Sequence, residues 1–348
     1  MTHSEQGLEL TERPHKKATI IDVAEAAGVA VGTVSRYLNG LPVRTSNRLP
    51  IEQAINKLGY RRNMVAVSMK SQTTRMVGLM VPALGEFHAG LLDQLTRRLR
   101  GTGYAVVSYC HDLEPRSIEE GLEFFSSHRV DAVVMDGLAN ARVVLERYSD
   151  EGLSFVLYDN DVPGLSADRV FTSNRRASQH IVDHLADLGH SRIATIHGNL
   201  ADSAARERLE GYEAALAGHD LPLNDEYYVS GLWREEGGYA GIRDLMALPE
   251  PPTAVFSANY NMTVGALRWL REHDIGVPTD LSLVSFDDIP AWKLHPAGIT
   301  AVEQPLEKIA DTIASILVER LQDKALGRKT VQIEANIILR GSARSPKR

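Results

Sequence analysis

The sequence predicts a small all-α head joined to a large α/β body of two doubly wound parallel-sheet lobes. Three observations lead there. Charge divides the 348 residues: Arg13 to Ser71 holds ten basic and three acidic side chains, a net of +7, whereas residues 72–348 hold 28 and 39, a net of −11. From about Arg75 onward, short β-rich apolar runs alternate with helical stretches, the pattern of a parallel sheet covered on both faces. That alternation lasts about 270 residues, more than one ordinary domain, so two lobes are expected.

Residues 1–17 are polar and are expected to form a flexible tail without the apolar centre of a signal peptide. No apolar run approaches the ~20 residues of a membrane span. The single cysteine, Cys110, excludes an internal disulfide and any multi-cysteine metal site and fits a reducing compartment. A cytoplasmic protein with no membrane partner is expected.

The head reads "ATIIDVAEAAGVAVGTVSRYLNG", two short helices around a turn. The first covers roughly Ile21–Ala27, with Ile20, Val23 and Ala24 inward. Gly28 supplies the turn's unusual backbone angle, and Val29 plugs the core beneath it. The second runs about Val31–Leu38, burying Val34, Tyr37 and Leu38 and leaving Thr33, Ser35 and Arg36 more exposed. A third helix near "PIEQAINKLGY" closes the bundle; because of Pro50 it is expected to start near Leu49–Ile51. A helix-turn-helix of this kind sets its second helix into the DNA major groove, and the basic charge suits a polyanion.

In the body, "MVGLMV", "YAVVSYC", "DAVVMDG", "SFVLYD", "RIATIHG", "TAVFSAN" and "LSLVSF" read as strands, and Leu91, Leu92, Leu95 and Leu99 mark a helix. Ligands of open α/β sheets sit at the carboxyl ends of strands. Polar residues follow those ends at Asp136, Asp159, Asn259 and Asp287-Asp288. One such residue is an ordinary turn former; several at one sheet edge point to a polar ligand pocket. There is no G-x-x-x-x-G-K-[ST], no G-x-G-x-x-G after a strand, no G-x-S-x-G and no H-E-x-x-H, so no catalytic residue, cofactor or metal is expected. His184 and His190 read as ordinary helix-face and loop residues.

"ATIIDVAEAAGV", "TVSRYLNG" and "AINKLGYRRN" resemble the headpiece of the lactose-repressor (LacI/GalR) family. "VGLMVP", "HLADLGHSRIATIHG", "RERLEGYEAAL", "PPTAVFSANYNMTVGALRWL" and "LSLVSFDDIPAW" follow in the family's order, so the match covers about residues 18–343. The resemblance implies a dimeric, nucleoid-associated transcription regulator, most simply a repressor of a palindromic operator. It implies a DNA-binding headpiece (18–62), a hinge helix and linker (63–74), and a core similar to periplasmic sugar-binding proteins (75–343). The first lobe would hold about 75–171 and 303–331, the second about 172–302 and 332–343. With no leucine heptads after "ILRGSARSPKR", a dimer rather than a tetramer is expected.

Residue by residue, the resemblance places Thr19, Val31, Gly32, Thr33, Ser35, Arg36, Asn39, Tyr60, Asn63 and Met69 at DNA, Met69 as a minor-groove wedge where leucine is usual. It places Phe87, His88, Asp136, Asp159, Arg208, Trp233, Asn259, Tyr260, Asp287 and Gln304 at the effector. Four departures stand out. Ala30 replaces the serine that caps the reading helix; Gly32 brings no base-reading side chain; Arg61-Arg62 replaces Arg-Pro; and Tyr260 stands where an aspartate is common. A neutral or weakly acidic carbohydrate is the first expectation, with sugar acids, sugar phosphates and nucleosides open. The alternatives are an enzyme or a solute-binding protein on the same fold.

Overall fold

The computed structural model describes residues 18–61 and 73–346, which form two compact units. The first is a three-helix bundle of α1 (Ile20–Ala27), α2 (Val31–Leu38) and α3 (Thr45–Leu58). Thr19 and Asp22 close a reciprocal capping box on α1: the Thr19 N–H donates to Asp22 Oδ2 at 2.7 Å and the Asp22 N–H to Thr19 Oγ1 at 3.3 Å. Gly28 ends the helix in the left-handed conformation at φ 64°. Val23, Ala24, Val34, Ile51 and Ala54 form the buried core, flanked by Ile20, Val29, Tyr37 and Leu38.

The third helix corrects an expectation. It begins at Thr45 and carries Pro50 inside it. Because Pro50 falls in the second turn, only one backbone bond, toward Ser46, is forfeited. A proline in a helix interior costs about 3 kcal/mol. Burial of Ile51 and Ala54 immediately after it offsets that cost, since full burial of an isoleucine contributes about 1.5–3 kcal/mol.

The second unit holds two six-stranded sheets. Its elements are β1 (Met76–Val81), α4 (Glu86–Gly101), β2 (Ala105–Cys110), α5 (Pro115–Ser127), β3 (Ala132–Asp136), α6 (Arg142–Asp150), β4 (Ser154–Tyr158), β5 (Asp168–Thr172), α7 (Asn174–Asp187), β6 (Ile193–His197), α8 (Ser203–Gly218), β7 (Tyr228–Ser230), α9 (Glu235–Met246), β8 (Ala254–Ser257), α10 (Tyr260–Glu272), β9 (Ser282–Phe286), β10 (Thr300–Glu303), α11 (Leu306–Gln322), β11 (Thr330–Ile333) and β12 (Asn336–Ile338). The first sheet runs β11-β5-β4-β3-β1-β2, all parallel. The second runs β12-β10-β9-β8-β6-β7, parallel except for β12 against β10.

Each sheet is buried on both faces, which is why the central strands read as unbroken apolar runs. Leu91, Leu95 and Leu99 of α4 pack with Ile309, Ile313 and Leu317 of α11 on one face of the first sheet; Phe125, Leu145 and Phe155 occupy the other. The chain crosses between sheets three times: after β5, after β10 and after β11. Near the β5 end of the first sheet, Arg320 makes a bidentate pair with buried Asp168 at 2.9 and 3.0 Å, and its remaining donors reach the carbonyls of Lys324, Leu326 and Gly327. That pairing fixes the loop from α11 to β11.

Candidate functional site

The carboxyl ends of both sheets open onto one cavity of about 460 Å³, and all ten residues expected at a ligand line it. Two of its acids occupy equivalent places. Asp159 follows β4 and Asp287 follows β9, with φ of 56° and 73°. This left-handed region is one that aspartate tolerates better than most residues. Asp136 ends β3, and Asn259 follows β8. The strand-end rule thus brings four polar groups from two sheets to one space.

Arg208, on α8 and 3% exposed, is the cavity's buried cation. Its Nε donates to Asn174 Oδ1 at 2.9 Å, one terminal nitrogen donates to the Ala258 carbonyl at 2.7 Å, and the other approaches Asp159 Oδ1 at 3.5 Å. The guanidinium lies 3.6 Å from the Phe286 ring centroid and 5.4 Å from that of Trp233. A buried charge needs such partners, and here they also fix its orientation.

Four of the cavity's carboxyl groups, Asp136, Asp159, Asp202 and Asp287, are raised above the usual carboxylate range. Burial raises Asp136 well above it, with the charge of Asp159 adding to the effect. Burial raises Asp159 and Asp287, both opposed by Arg208, and Gln304 also lowers Asp287 by donating to its Oδ1 at 2.7 Å. Asp202, absent from the expected set, stands at the start of α8 without a side-chain cap hydrogen bond and accepts from the Trp233 indole N–H at 2.7 Å; burial raises it too. Trp233 has φ 64°, and its ring lies where a Cβ on residue 198 would fall at 2.2 Å, so Gly198 is required. Asn259 holds the same segment, donating to the Trp233 carbonyl at 3.2 Å, and caps α10 through the Met262 N–H.

Tyr260 links the lobes. Its hydroxyl accepts from the Glu86 N–H at 3.2 Å, and a Cβ on residue 85 would meet it at 2.0 Å. On another side, Asn160 bonds Asp136 through both its backbone and side-chain nitrogens and accepts from the Ala204 N–H of α8 at 2.9 Å. Phe87 and His88, from the first turn of α4, enter from the first lobe, as does His111, which the sequence reading passed over. His111 directly follows β2, which reads as a strand in "YAVVSYC", so the same strand-end rule, applied to a histidine, finds it. His184 and His190 do not line the cavity, and His190 is buried between Thr253 and Ser282.

In the first unit, Ala30 caps α2 without a side-chain hydrogen bond. Val31 and Gly32 are exposed, and a Cβ on residue 32 meets nothing within 4 Å. Thr33 and Ser35 are half-buried, and Arg36 donates to the Pro42 carbonyl at 3.3 Å. Asn39 donates from its side chain to the Ser35 carbonyl at 2.8 Å; Thr19 caps α1, and Tyr60 packs beside the bundle core. Asn63 and Met69, with the hinge segment, lie outside the described residues.

A helix-turn-helix followed by a two-lobed ligand-binding core is the architecture of a ligand-responsive DNA-binding protein. Comparison with known proteins agrees. Residues 19–63 match the model for bacterial regulatory proteins of the lacI family, and residues 182–343 match a periplasmic binding protein-like domain. The ribose operon repressor of Escherichia coli (strain K12) is 29% identical over 334 residues, covering 94% of this chain and all of that one. Among solved structures, the complex of the transcriptional regulator CelR with cellobiose superposes with a TM-score of 0.71 at 28% identity, over 94% of this chain and all of that one. A lac repressor dimer bound to operator and the anti-inducer ONPF shares the fold, with a TM-score of 0.83 at 22% identity over 94% of this chain and all of that one. The chain thus resembles the lacI family of bacterial regulatory proteins, in its first helices by the family model and along its length by the relatives.

Proposed function

We propose that this regulator is a repressor that binds a palindromic operator as a homodimer and is controlled by a neutral carbohydrate held in the cavity. Regulation rather than catalysis is the role of its relatives, the ribose operon repressor among them. The observation that carries the ligand class is the cavity's charge. Asp136, Asp159, Asp202 and Asp287 line the cavity with one buried cation, Arg208, each of whose three nitrogens already has a partner, and one exposed cation, Arg234. A sugar hydroxyl can donate to these carboxylates; a sugar acid or phosphate would bring further negative charge beside them. The Trp233 face suits a sugar ring. That relatives include a ribose operon repressor and a regulator complexed with cellobiose supports the class without choosing its member.

On this reading Val31, Thr33, Ser35 and Arg36 meet base edges and phosphates, and Met69 acts as the minor-groove wedge. A palindrome needs two headpieces, hence the homodimer, acting in the cytoplasm at the nucleoid. The effector works by binding one lobe arrangement more tightly than another, since no ligand shifts an equilibrium otherwise. A thermal-shift screen of the full chain against neutral sugars, sugar acids and sugar phosphates tests the class. Stabilisation by a neutral sugar is expected; stabilisation by anionic sugars alone would overturn it.

A further inference from the structure

Among the described residues, five buried side-chain polar atoms lack a hydrogen-bond partner; two, His88 Nε2 and His111 Nε2, belong to residues that line the cavity, and a third, the Tyr158 hydroxyl, belongs to a core residue whose ring neighbours His88. Buried polar groups are nearly always paired, so a cluster of exceptions at a cavity wall calls for a partner from outside the chain. His88 and Tyr158 lie with ring centroids 6.0 Å apart, and His88 and His111 both line the cavity.

The hydrogen bonding fixes what His111 offers. The Leu113 N–H donates to His111 Nδ1 at 3.1 Å, so Nδ1 is the lone-pair nitrogen and the proton of the neutral ring sits on Nε2. His111 is 5% exposed, and burial lowers its pKa to about 4, with Asp112 opposing and His88 adding to the shift. The turn that follows the ring is fixed by its own hydrogen bonds. Leu113 takes φ 70°, Asp112 Oδ1 accepts from the Glu114 N–H at 3.1 Å, and the Asp112 N–H donates to Ser117 Oγ at 3.3 Å. His111, a residue that lines the cavity, therefore carries a buried, uncharged N–H donor with no partner from the chain.

We infer that the ligand places an uncharged oxygen, a hydroxyl or ring oxygen of a sugar, against His111 Nε2–H, making the carboxyl end of β2 a specificity subsite. This rests on the carbohydrate reading and extends it to a wall that neither the strand-end acids nor Arg208 define. His88, on the first turn of α4, supplies a second neutral ring nitrogen beside it. A ligand oxygen here satisfies a donor that is otherwise stranded. A ligand lacking it leaves the donor unpaired, which costs about 1–3 kcal/mol, or roughly five- to 150-fold in affinity.

The experiment uses the full chain labelled with ¹⁵N-histidine, with D-ribose, D-glucose and cellobiose as probes. Tryptophan fluorescence of the Trp269→Phe, Trp292→Phe variant, in which Trp233 is the one tryptophan left, reports cavity occupancy independently. Without sugar, His111 should show the neutral Nε2–H form at neutral pH. A binding sugar should move the Nε2 resonance and leave Nδ1 in place. His111→Phe should weaken that sugar about tenfold, and His111→Gln, which keeps an acceptor for Leu113 and a donor for the ligand, should restore most of the loss. A fluorescence response with an unmoved His111 signal, or equal affinity in His111→Phe, overturns the subsite and leaves the carbohydrate reading standing. Silence of both signals with all three sugars counts against the carbohydrate reading, and the subsite falls with it.

Discussion

Helix α2 and the cavity furnish their surfaces in opposite ways. The helix opens on Val31 and Gly32 and carries one long donor, Arg36, which in this structure rests on the Pro42 carbonyl. The cavity instead gathers acids, two arginines, four amides and two neutral histidines, several of them tied to the chain at hydrogen-bond distance. A sparse helix leaves much of its discrimination to phosphate contacts, DNA shape and the pairing of two headpieces. A furnished cavity can discriminate by itself, because each misplaced ligand group strands a buried partner. Substitutions should therefore act in a graded, redistributing manner on the helix and nearly all-or-none in the cavity.

The largest effect is expected from Arg208→Leu. It removes the buried cation beside Asp159 and Asp287 and strands Asn174 Oδ1 and the Ala258 carbonyl. Calorimetric titration should register at least a hundredfold loss of sugar affinity, and the core should lose about 3–5 kcal/mol of stability. Headpiece binding to DNA should persist.

Arg36→Ala comes next. Loss of a bidentate base contact costs about 1–3 kcal/mol, so affinity for the preferred operator should fall roughly ten- to a hundredfold while non-specific binding changes little. A uniform fall on all sequences would place Arg36 on phosphate instead.

Asp287→Asn probes the pH response. Burial raises this carboxylate's pKa, so near the carboxylate range part of the free protein carries it protonated. A sugar hydroxyl donating to the charged form favours ionisation. Affinity should accordingly rise with pH through that range and then level off. Asp287→Asn should bind about tenfold more weakly at neutral pH, the scale of a charge-assisted hydrogen bond, and flatten the rise.

The smallest effect is on the helix itself. Ala30→Ser restores the missing cap and should raise headpiece stability by about 1 kcal/mol in a thermal melt, without changing operator preference.

The regions also differ in how far the sequence discloses them. Val23, Ala24 and Val34 mark the head's core because helical periodicity and a turn glycine are local signals. Asp136, Asp159, Asn259 and Asp287 are legible because each directly follows an apolar strand. Pro50 is misread when local propensity is weighed without the burial of Ile51. The strands β7, β11 and β12 are edge strands of three or four residues, too short to show a pattern of their own. Asp202 acquires meaning only when the start of α8 is brought to the cavity.

The measurement that bears most directly on the whole account is DNA affinity with and without sugar. DNA is selected by the full chain from a random-sequence pool, and its binding is then titrated in the presence of whichever neutral sugar stabilises the protein. The account predicts a palindromic selected sequence and an affinity that shifts at least severalfold with the sugar, with Arg208→Leu retaining DNA binding and losing the shift. A sugar that binds the cavity and leaves DNA affinity unchanged would contradict it.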